Sequence, residues 1–286
     1  AASAAIGYEG DSYITINVGS SVSLTGSNSI NPAVIGSAVG TSTVYLRGTD
    51  INLGNYSLIG NNDGSSGGSA TLIATGTAIQ QLANGRIITG TVDATANTDV
   101  ALDGINRVGD VSLTATGGFV SYHTANTANT RVSADATGNI TITGDAGSTS
   151  IELGNLTTTG TSTISVTAQK AILEDTTNGS LLSTGSGNIT LASVSGTAVA
   201  GELAISANVE TTGNVNATVN GGPYGSIGIR DYGASQPANV LLNASSATAE
   251  GALSYYRYGD LSLANISMSQ YGTDGVAIGA SGNISV

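Results

Sequence analysis

Nucleophilic catalysis needs a general base, and the chain offers a single histidine for that role. His123 lies in the stretch Ser121-Tyr122-His123-Thr124, so any arrangement of serine, histidine and aspartate would have to be built around it. The chain has no cysteine, which excludes thiolate nucleophiles, disulfides and thiolate metal sites. We therefore interpret His123 as an exposed polar residue on a strand or at a corner.

Paired carboxylates could act as acid and base in the hydrolysis of a glycoside. Acidic residues in the middle of the chain include Glu174, Asp175, Glu202 and Glu210. Because no spacing in the sequence brings two of them together, we expect solvated corner residues. The sequence predicts a protein that is not an enzyme.

Calcium is the one ion for which the sequence offers a candidate site. Asn61-Asn62-Asp63-Gly64 supplies the oxygen ligands that calcium prefers. The nine-residue repeat of calcium-binding β-rolls is missing, however, which favours a plain turn. We predict no metal and no cofactor, with calcium as the ion to test.

Tyrosines are concentrated in the last third of the chain and supply the candidate contact surface. Six of the eleven lie there, at Tyr224, Tyr232, Tyr255, Tyr256, Tyr258 and Tyr271. In a strand, the run Tyr255-Tyr256-Arg257-Tyr258 would present rings to both faces of the sheet. We expect these four residues to contact a surface glycan or a partner protein; packing at a sheet edge or a terminal cap is the alternative.

Charge and hydropathy restrict the partners. Only 9% of the residues are charged, and 7 basic against 19 acidic residues give a net charge of −12. The arginines are scattered singly, so we expect neither nucleic acid nor an anionic membrane surface as a partner. No apolar run approaches the roughly 18 residues of a membrane span, so we expect no membrane insertion. The small residues Ala1-Ala2-Ser3-Ala4-Ala5 resemble those near a cleavage site, which favours an exported chain.

One phrase recurs along the chain: glycine, Asn or Asp, an apolar residue, Ser or Thr, and a second apolar residue. Strict copies are Gly109-Asp110-Val111-Ser112-Leu113, Gly138-Asn139-Ile140-Thr141-Ile142, Gly187-Asn188-Ile189-Thr190-Leu191, Gly259-Asp260-Leu261-Ser262-Leu263 and Gly282-Asn283-Ile284-Ser285-Val286. With looser copies at 160, 213 and 238, the average interval is about 25 residues. The alternation is that of a half-buried strand, and the Gly-Asn or Gly-Asp pair suggests a turn with positive φ.

A repeat of this length, built from short strands and small turns, predicts an all-β parallel β-solenoid (β-helix) with coils of about 25 residues. A tandem of β-sandwich domains is the alternative, but such domains usually bury tryptophan and place proline at turns. This chain has no tryptophan and only 3 prolines. We expect a single continuous domain over 1–286, less regular in 1–104 and clearly repetitive in 105–286.

The phrases Gly187-Asn188-Ile189-Thr190-Leu191 and Gly109-Asp110-Val111-Ser112-Leu113-Thr114-Ala115 occur in a chain with almost no Cys, Lys or Trp. They resemble the β-helical shafts of filamentous-haemagglutinin-like adhesins and autotransporter passengers of bacterial surfaces. The resemblance concerns the style of the repeat and covers residues 105–286. It implies an extracellular or cell-surface structural protein.

We therefore expect a non-catalytic structural or adhesive protein. It would self-associate, as a homo-oligomer or polymer, into a filament, sheath or surface layer, or it would form an adhesin shaft. The alternative is a β-helix that binds or degrades polysaccharide. Ile229-Arg230-Asp231-Tyr232-Gly233-Ala234 is similar to the short strand that opens pectin-lyase-like and phage tailspike β-helices, although Ser235-Gln236-Pro237 follows in place of their acidic Gly-Asp-Gly segment.

Overall fold

The fold is a parallel β-solenoid, described in two compact units, Ala1–Ala136 and Thr137–Val286. The computed structural model describes residues 5–7, 10–29, 32–37, 40–61, 67–126, 128–145, 150–175, 177, 179–194, 202–220, 224–245, 252–270 and 275–286. The expectation of a single continuous domain over 1–286 stays a prediction.

Thirteen strands are described in the first unit. They are β1 (Ala5–Ile6), β2 (Ser12–Asn17), β3 (Val22–Leu24), β4 (Ala33–Ser37), β5 (Ser42–Gly48), β6 (Ile51–Leu53), β7 (Ser57–Asn61), β8 (Gly68–Ala74), β9 (Ile79–Gln81), β10 (Arg86–Ala96), β11 (Val100–Ala115), β12 (Val120–Thr124) and β13 (Thr130–Ala136).

These strands stack in three parallel ladders, one for each face of the coil. The ladders are β1–β4–β7–β10–β11, β2–β5–β8–β10–β11–β13 and β3–β6–β9–β11–β12; the long strands β10 and β11 take part in more than one of them. The coil length varies: Ile14 pairs with Val44, 30 residues later, whereas Val92 pairs with Val111, 19 residues later. This uneven step explains why the repeat is hard to recognise in the first hundred residues.

The interior of the first unit is filled mainly by small and branched side chains, with buried polar side chains among them. Burial alternates along β11, as expected of a strand with one face inside. At the register shift in β11, the side-chain amide of Gln81 donates to Asn106 Oδ1 at 2.9 Å, and that of Asn106 donates to Gln81 Oε1 at 3.1 Å. The backbone N–H of Gly104 also donates to Gln81 Oε1 at 3.0 Å, so these buried amides satisfy each other.

Fifteen strands and one 3₁₀ turn (Leu263–Asn265) are described in the second unit. The strands are β14 (Ile140–Gly144), β15 (Ile151–Thr157), β16 (Ile164–Ala168), β17 (Ile172–Glu174), β18 (Leu182–Ser183), β19 (Ile189–Val194), β20 (Glu202–Glu210), β21 (Asn214–Asn220), β22 (Tyr224–Asp231), β23 (Asn239–Ser245), β24 (Leu253–Arg257), β25 (Leu261–Ser262), β26 (Ile266–Gln270), β27 (Val276–Ala280) and β28 (Ile284–Ser285).

The second unit is more regular than the first. One ladder runs β14–β16–β19–β21–β23–β26 and another β15–β17–β20–β22–β24–β27, all parallel. Hydrogen bonds between neighbouring coils of the first of these ladders join residues 24, 25 and 26 apart. The predicted solenoid and its period of about 25 residues are confirmed. The β-sandwich alternative is wrong, because every described pairing is parallel and sandwiches are built from antiparallel sheets.

The repeat phrase does not mark one fixed position of the coil. Its copies at 259 and 282 enter β25 and β28, which pair with each other in a separate two-stranded sheet. The ladder of β23 continues instead through Ile266, which pairs with Val240. The same five-residue pattern therefore serves two different corners of the coil.

The glycine of the phrase has a positive φ in some copies and not in others. The expectation is confirmed at Gly160 and Gly259, with φ of 62° and 149°, and it is wrong at Gly187 and Gly213, where the Gly-Asn pair acts in stacking. A Cβ on Gly213 would lie 2.3 Å from the carbonyl oxygen of Gly187, so the neighbouring coil leaves no room for a side chain. The following asparagine, Asn188, accepts a hydrogen bond at 2.9 Å from the backbone N–H of Asn214 in the next coil. The same bond joins Asn139 to Thr163 and Asp260 to Asn283.

Candidate functional site

Strand β24 divides the predicted contact residues between the interior and the surface. Tyr255 is 1% exposed and Arg257 is 3% exposed, whereas Tyr256 is 38% exposed. Tyr258, just after the strand, is 46% exposed. The alternation follows from the pleat of the strand, which sends successive side chains to opposite faces. The rings thus lie on both faces, as expected, but two of the four side chains are enclosed.

Inside the coil, Asp231, Tyr255 and Arg257 form what we call the inner network. Asp231 ends β22 and pairs in register with Arg257 of β24, and their carboxylate and guanidinium form an ion pair. The hydroxyl of Tyr255 donates to Asp231 Oδ2 at 2.8 Å. The backbone N–H of Gly233 donates to Asp231 Oδ1 at 2.8 Å. Arg257 donates from Nη2 to the carbonyl of Gly233 at 3.1 Å and from Nε to the carbonyl of Asp260 at 2.7 Å.

The inner network is a closed structural unit. Burial, and then the neighbouring carboxylate of Asp231, raise the pKa of the Tyr255 hydroxyl. Tyr255 and Arg257 are enclosed, and their polar groups bond to Asp231 and to backbone carbonyls, so they present no surface to a ligand. The predicted contact is therefore limited to Tyr256 and Tyr258, where binding stays a prediction.

On the outside of the same strands, Tyr232, Tyr256 and Tyr258 form the tyrosine cluster. The rings of Tyr232 and Tyr258 stack with centroids 4.3 Å apart and planes 16° apart. Tyr256 meets Tyr258 edge-on at 5.0 Å and 71°. A hydrogen bond between the hydroxyls of Tyr232 and Tyr258, followed by burial, raises the pKa of Tyr232. The stack arises because Tyr232 follows Asp231, Tyr258 follows Arg257, and those two residues are in register.

An ion pair connects the tyrosine cluster to a groove. Arg230 Nη1 donates to both carboxylate oxygens of Glu174, at 2.9 and 3.0 Å. This pair raises the pKa of Arg230, and the nearby Tyr232 and Tyr258 contribute to a smaller extent. Glu174 also lines a groove of about 360 Å³ with Glu152, Leu173 and Ser206.

The other acidic and basic candidates lie apart from this surface or outside the described residues. The ring Nδ1 of His123 lies 2.8 Å from the carbonyl oxygen of Gly104, and the side chain is half-buried. Asp175, expected to be a solvated corner residue, is 1% exposed, and its carboxylate accepts from Thr177 N at 2.9 Å. The side chain of Glu202 lies outside the described residues, as do those of Tyr224 and Tyr271. Glu210 borders a smaller groove of about 220 Å³ with Thr184, Thr211 and Ser235 among its other lining residues.

The calcium candidate lies largely outside the described residues. Asn61 is buried and donates to the carbonyl of Gly67 at 2.8 Å, and 62–66 are not described. Among the residues that are described, no group of three or more His, Asp or Glu side chains is placed to hold a metal ion. Within the same ranges, no helix is long and apolar enough to cross a membrane.

Sequence reasoning missed the inner network, although a signal for it is present. Arg230-Asp231-Tyr232-Gly233 and Tyr256-Arg257-Tyr258-Gly259 are offset by 26 residues, which equals the local coil step. Aligning the two segments places Asp231 beside Arg257 and Tyr232 beside Tyr258. A search for the coil step among the tyrosine-containing segments would have found both contacts.

The chain matches no protein-family model, and it has no significant match among curated proteins or among solved structures. Its solenoid architecture therefore rests on its own strand pairing, and its function must be argued from its own surfaces.

Proposed function

We propose that the chain is a non-catalytic structural protein of the cell surface or extracellular space. Its coils associate edge to edge between copies, giving a filament, sheath or surface layer. An adhesin shaft, as in the filamentous-haemagglutinin-like and autotransporter proteins that its repeats resemble, is the related form of the same role. The repeat style and the low charge support this assignment.

The observation that carries the proposal is the edge formed by β27 and β28. Val276, Ile278 and Ile284 are 50%, 39% and 50% exposed. Their register partners in the preceding coil, Leu253, Tyr255 and Leu261, are at most 1% exposed. In the described residues, β27 and β28 each pair on one side only. These apolar positions and the open backbone groups fit a further parallel coil.

The coil that contains β2 offers the matching edge. β2 pairs with β5, which lies in the next coil, and has no described partner on the other side. β27 pairs with β24, which lies in the coil before it, and no strand among the described residues pairs with its other side. Among the described residues the two edges are complementary, since β2 pairs only on the side of the next coil and β27 only on the side of the coil before it, and two copies would join head to tail by the same parallel pairing. A head-to-tail contact leaves a free edge on each copy for the next one, which suits a growing assembly.

The test is electron microscopy and sedimentation of the purified chain, with and without added salt and calcium. We expect assemblies that grow with concentration, and more of them when salt screens the net charge of −12. Ile278→Asp should abolish assembly, because it places a charge in the contact between coils. The matched control is Leu241→Asp, at a 42% exposed position on the outward face of β23, and it should assemble normally. Single particles at every concentration would overturn the proposal.

A further inference from the structure

The groove and the tyrosine cluster form one continuous surface on the second unit. Glu174 belongs to the wall of the groove and holds Arg230 by a bidentate ion pair. Arg230 pairs in register with Tyr256, and the nearby Tyr232 and Tyr258 contribute to the raised pKa of Arg230. We call the whole surface the outer site; it consists of Glu152, Leu173, Glu174 and Ser206 of the groove, Arg230, and the tyrosine cluster.

The chemistry of the outer site is amphipathic and almost uncharged. Tyr232 and Tyr258 are 44% and 46% exposed, so both residues offer surface to solvent. Leu173 adds an apolar floor, and Ser206 and Glu152 add polar groups. The charges of Glu174 and Arg230 offset each other, which leaves Glu152 as the only uncompensated charge among these residues. A polyanion would gain nothing from this surface.

The polar groups of the outer site are also held in place before any ligand arrives. The bidentate pair fixes the Glu174 carboxylate and the Arg230 guanidinium, and the stack of Tyr232 on Tyr258 limits the rotation of both rings. Groups that are already ordered lose little conformational entropy on binding. Ring faces combined with a few fixed donors and acceptors suit a ligand with apolar faces and hydroxyl edges.

From these features we propose that the outer site binds a neutral oligosaccharide or polysaccharide chain. The C–H face of a sugar packs against the tyrosine rings. Its hydroxyls donate to the free lone pairs of Glu174 and to Glu152, and they accept from the unused N–H groups of Arg230. A longer chain continues from the tyrosine cluster into the groove beside Leu173. The site is distinct from the edge residues Val276, Ile278 and Ile284 that carry the self-association proposal.

The experiment is isothermal titration of the whole chain with purified glycans: neutral glucan, xylan and mannan oligosaccharides, and an anionic oligogalacturonate. We expect binding of at least one neutral glycan. Tyr258→Ala, which removes the ring that contacts both other tyrosines, should weaken it at least tenfold, and Glu174→Gln should weaken it severalfold. The matched control is Tyr13→Ala, which removes a 79% exposed tyrosine from β2 and should leave binding unchanged.

Three outcomes would overturn the inference: no binding to any neutral glycan, equal loss of binding in Tyr13→Ala, or binding to the anionic glycan alone. Circular dichroism of each variant separates a lost contact from a lost fold. Sedimentation of Tyr258→Ala separates this inference from the proposed function, because that variant should still assemble.

Discussion

Asp231 and Arg257 form an ion pair inside the second unit, one coil apart and at register-matched positions of β22 and β24. Their side chains are 0% and 4% exposed, so the ion pair lies in the interior. The pair is supported by the hydroxyl of Tyr255 and by the backbone of Gly233. Two neighbouring coils are thus joined by charge as well as by the strand ladder.

Breaking this pair from one side should be strongly destabilising. Asp231→Asn leaves the guanidinium without its counter-charge, and we expect the free energy of unfolding to fall by about 3–5 kcal/mol. Arg257→Met should cost a similar amount, while the double variant should cost clearly less than the sum. Urea unfolding followed by circular dichroism measures the cycle. The control is Glu174→Gln at the exposed Arg230 pair, for which we expect a loss of less than about 1 kcal/mol. Additive single changes at Asp231 and Arg257 would contradict the coupling.

Alkaline pH should unfold the protein through its buried tyrosines. Burial raises the pKa of Tyr122 and Tyr255 above the value of about 10 that they have in the unfolded chain. Their contribution to stability is therefore complete below about pH 10 and is lost as the pH rises further, because the unfolded chain then releases protons that the folded chain keeps. In a spectrophotometric titration, these two residues should ionise only as the far-ultraviolet signal collapses, and Tyr255→Phe should remove one of them. Ionisation of all eleven tyrosines before unfolding would contradict this assignment.

Acid should weaken the first unit through Asp50. The hydroxyls of Thr77 and Ser21 donate to its carboxylate from the following and the preceding coil, and these bonds lower its pKa. Stability from this group is present above about pH 4 and is lost as the pH falls below that value. We expect Asp50→Asn, which keeps an acceptor but does not titrate, to show a smaller fall in melting temperature between pH 5 and pH 3 than the unmodified chain. An identical fall in both proteins would contradict the role of Asp50.

Close stacking at the glycines can be tested by adding one methyl group. Gly213→Ala would place its Cβ 2.3 Å from a backbone oxygen of the neighbouring coil, so the coils must separate. We expect a loss of more than about 1 kcal/mol in the free energy of unfolding. Gly275→Ala is the control, because a Cβ there meets no atom within 4 Å and the change should be neutral or slightly stabilising. Equal stability of the two variants would contradict the close contact.

The stack of Tyr232 on Tyr258 should be detectable by covalent coupling. Hydrogen peroxide with a peroxidase removes one hydrogen atom from each phenol and is itself reduced to water; the two ring radicals then join through a carbon–carbon bond. With centroids 4.3 Å apart, the product should be an internal cross-link found by mass spectrometry as a joined peptide pair lighter by two hydrogen atoms. Tyr232→Phe should abolish it and Tyr256→Phe should not. Cross-links between molecules through Tyr13, without the internal one, would contradict the stack.

The fold could be predicted where the sequence repeats at the coil step. Between Ile140 and Ile266 the steps are nearly constant, so both the period and the alternation were visible. The first unit was harder because its coils differ in length, for example from Ile14 to Val44 and from Val92 to Val111. The phrase at 259 does not lead into the ladder of β23, for a different reason. Its small residues suit any corner where two coils approach closely, so the phrase does not identify one position of the coil.

The candidate site could be predicted only in part. The tyrosines were found by their density in the sequence, and the pleat of β24 explains why Tyr256 is outside and Tyr255 inside. The partnership of Asp231 with Arg257 depends on two facts that composition does not contain: the local coil step and the side of the strand that faces inward. Arg230 and Glu174 are 56 residues apart, across more than one coil, so their pairing needed the three-dimensional stack.

Coils this similar could stack in many wrong orders, because a Val, Ile or Leu side chain of one coil packs equally well on the apolar side chains of several others. Displaced by one coil, Arg257 would lie over Val209, the register partner of Asp231 in β20, and would be a buried charge without a counter-charge. The amides of Gln81 and Asn106 impose the same condition in the first unit, because each satisfies the other only in the observed order. Polar residues in the interior thus distinguish one coil from the next. They favour a single stacking order in a chain whose coils are otherwise alike.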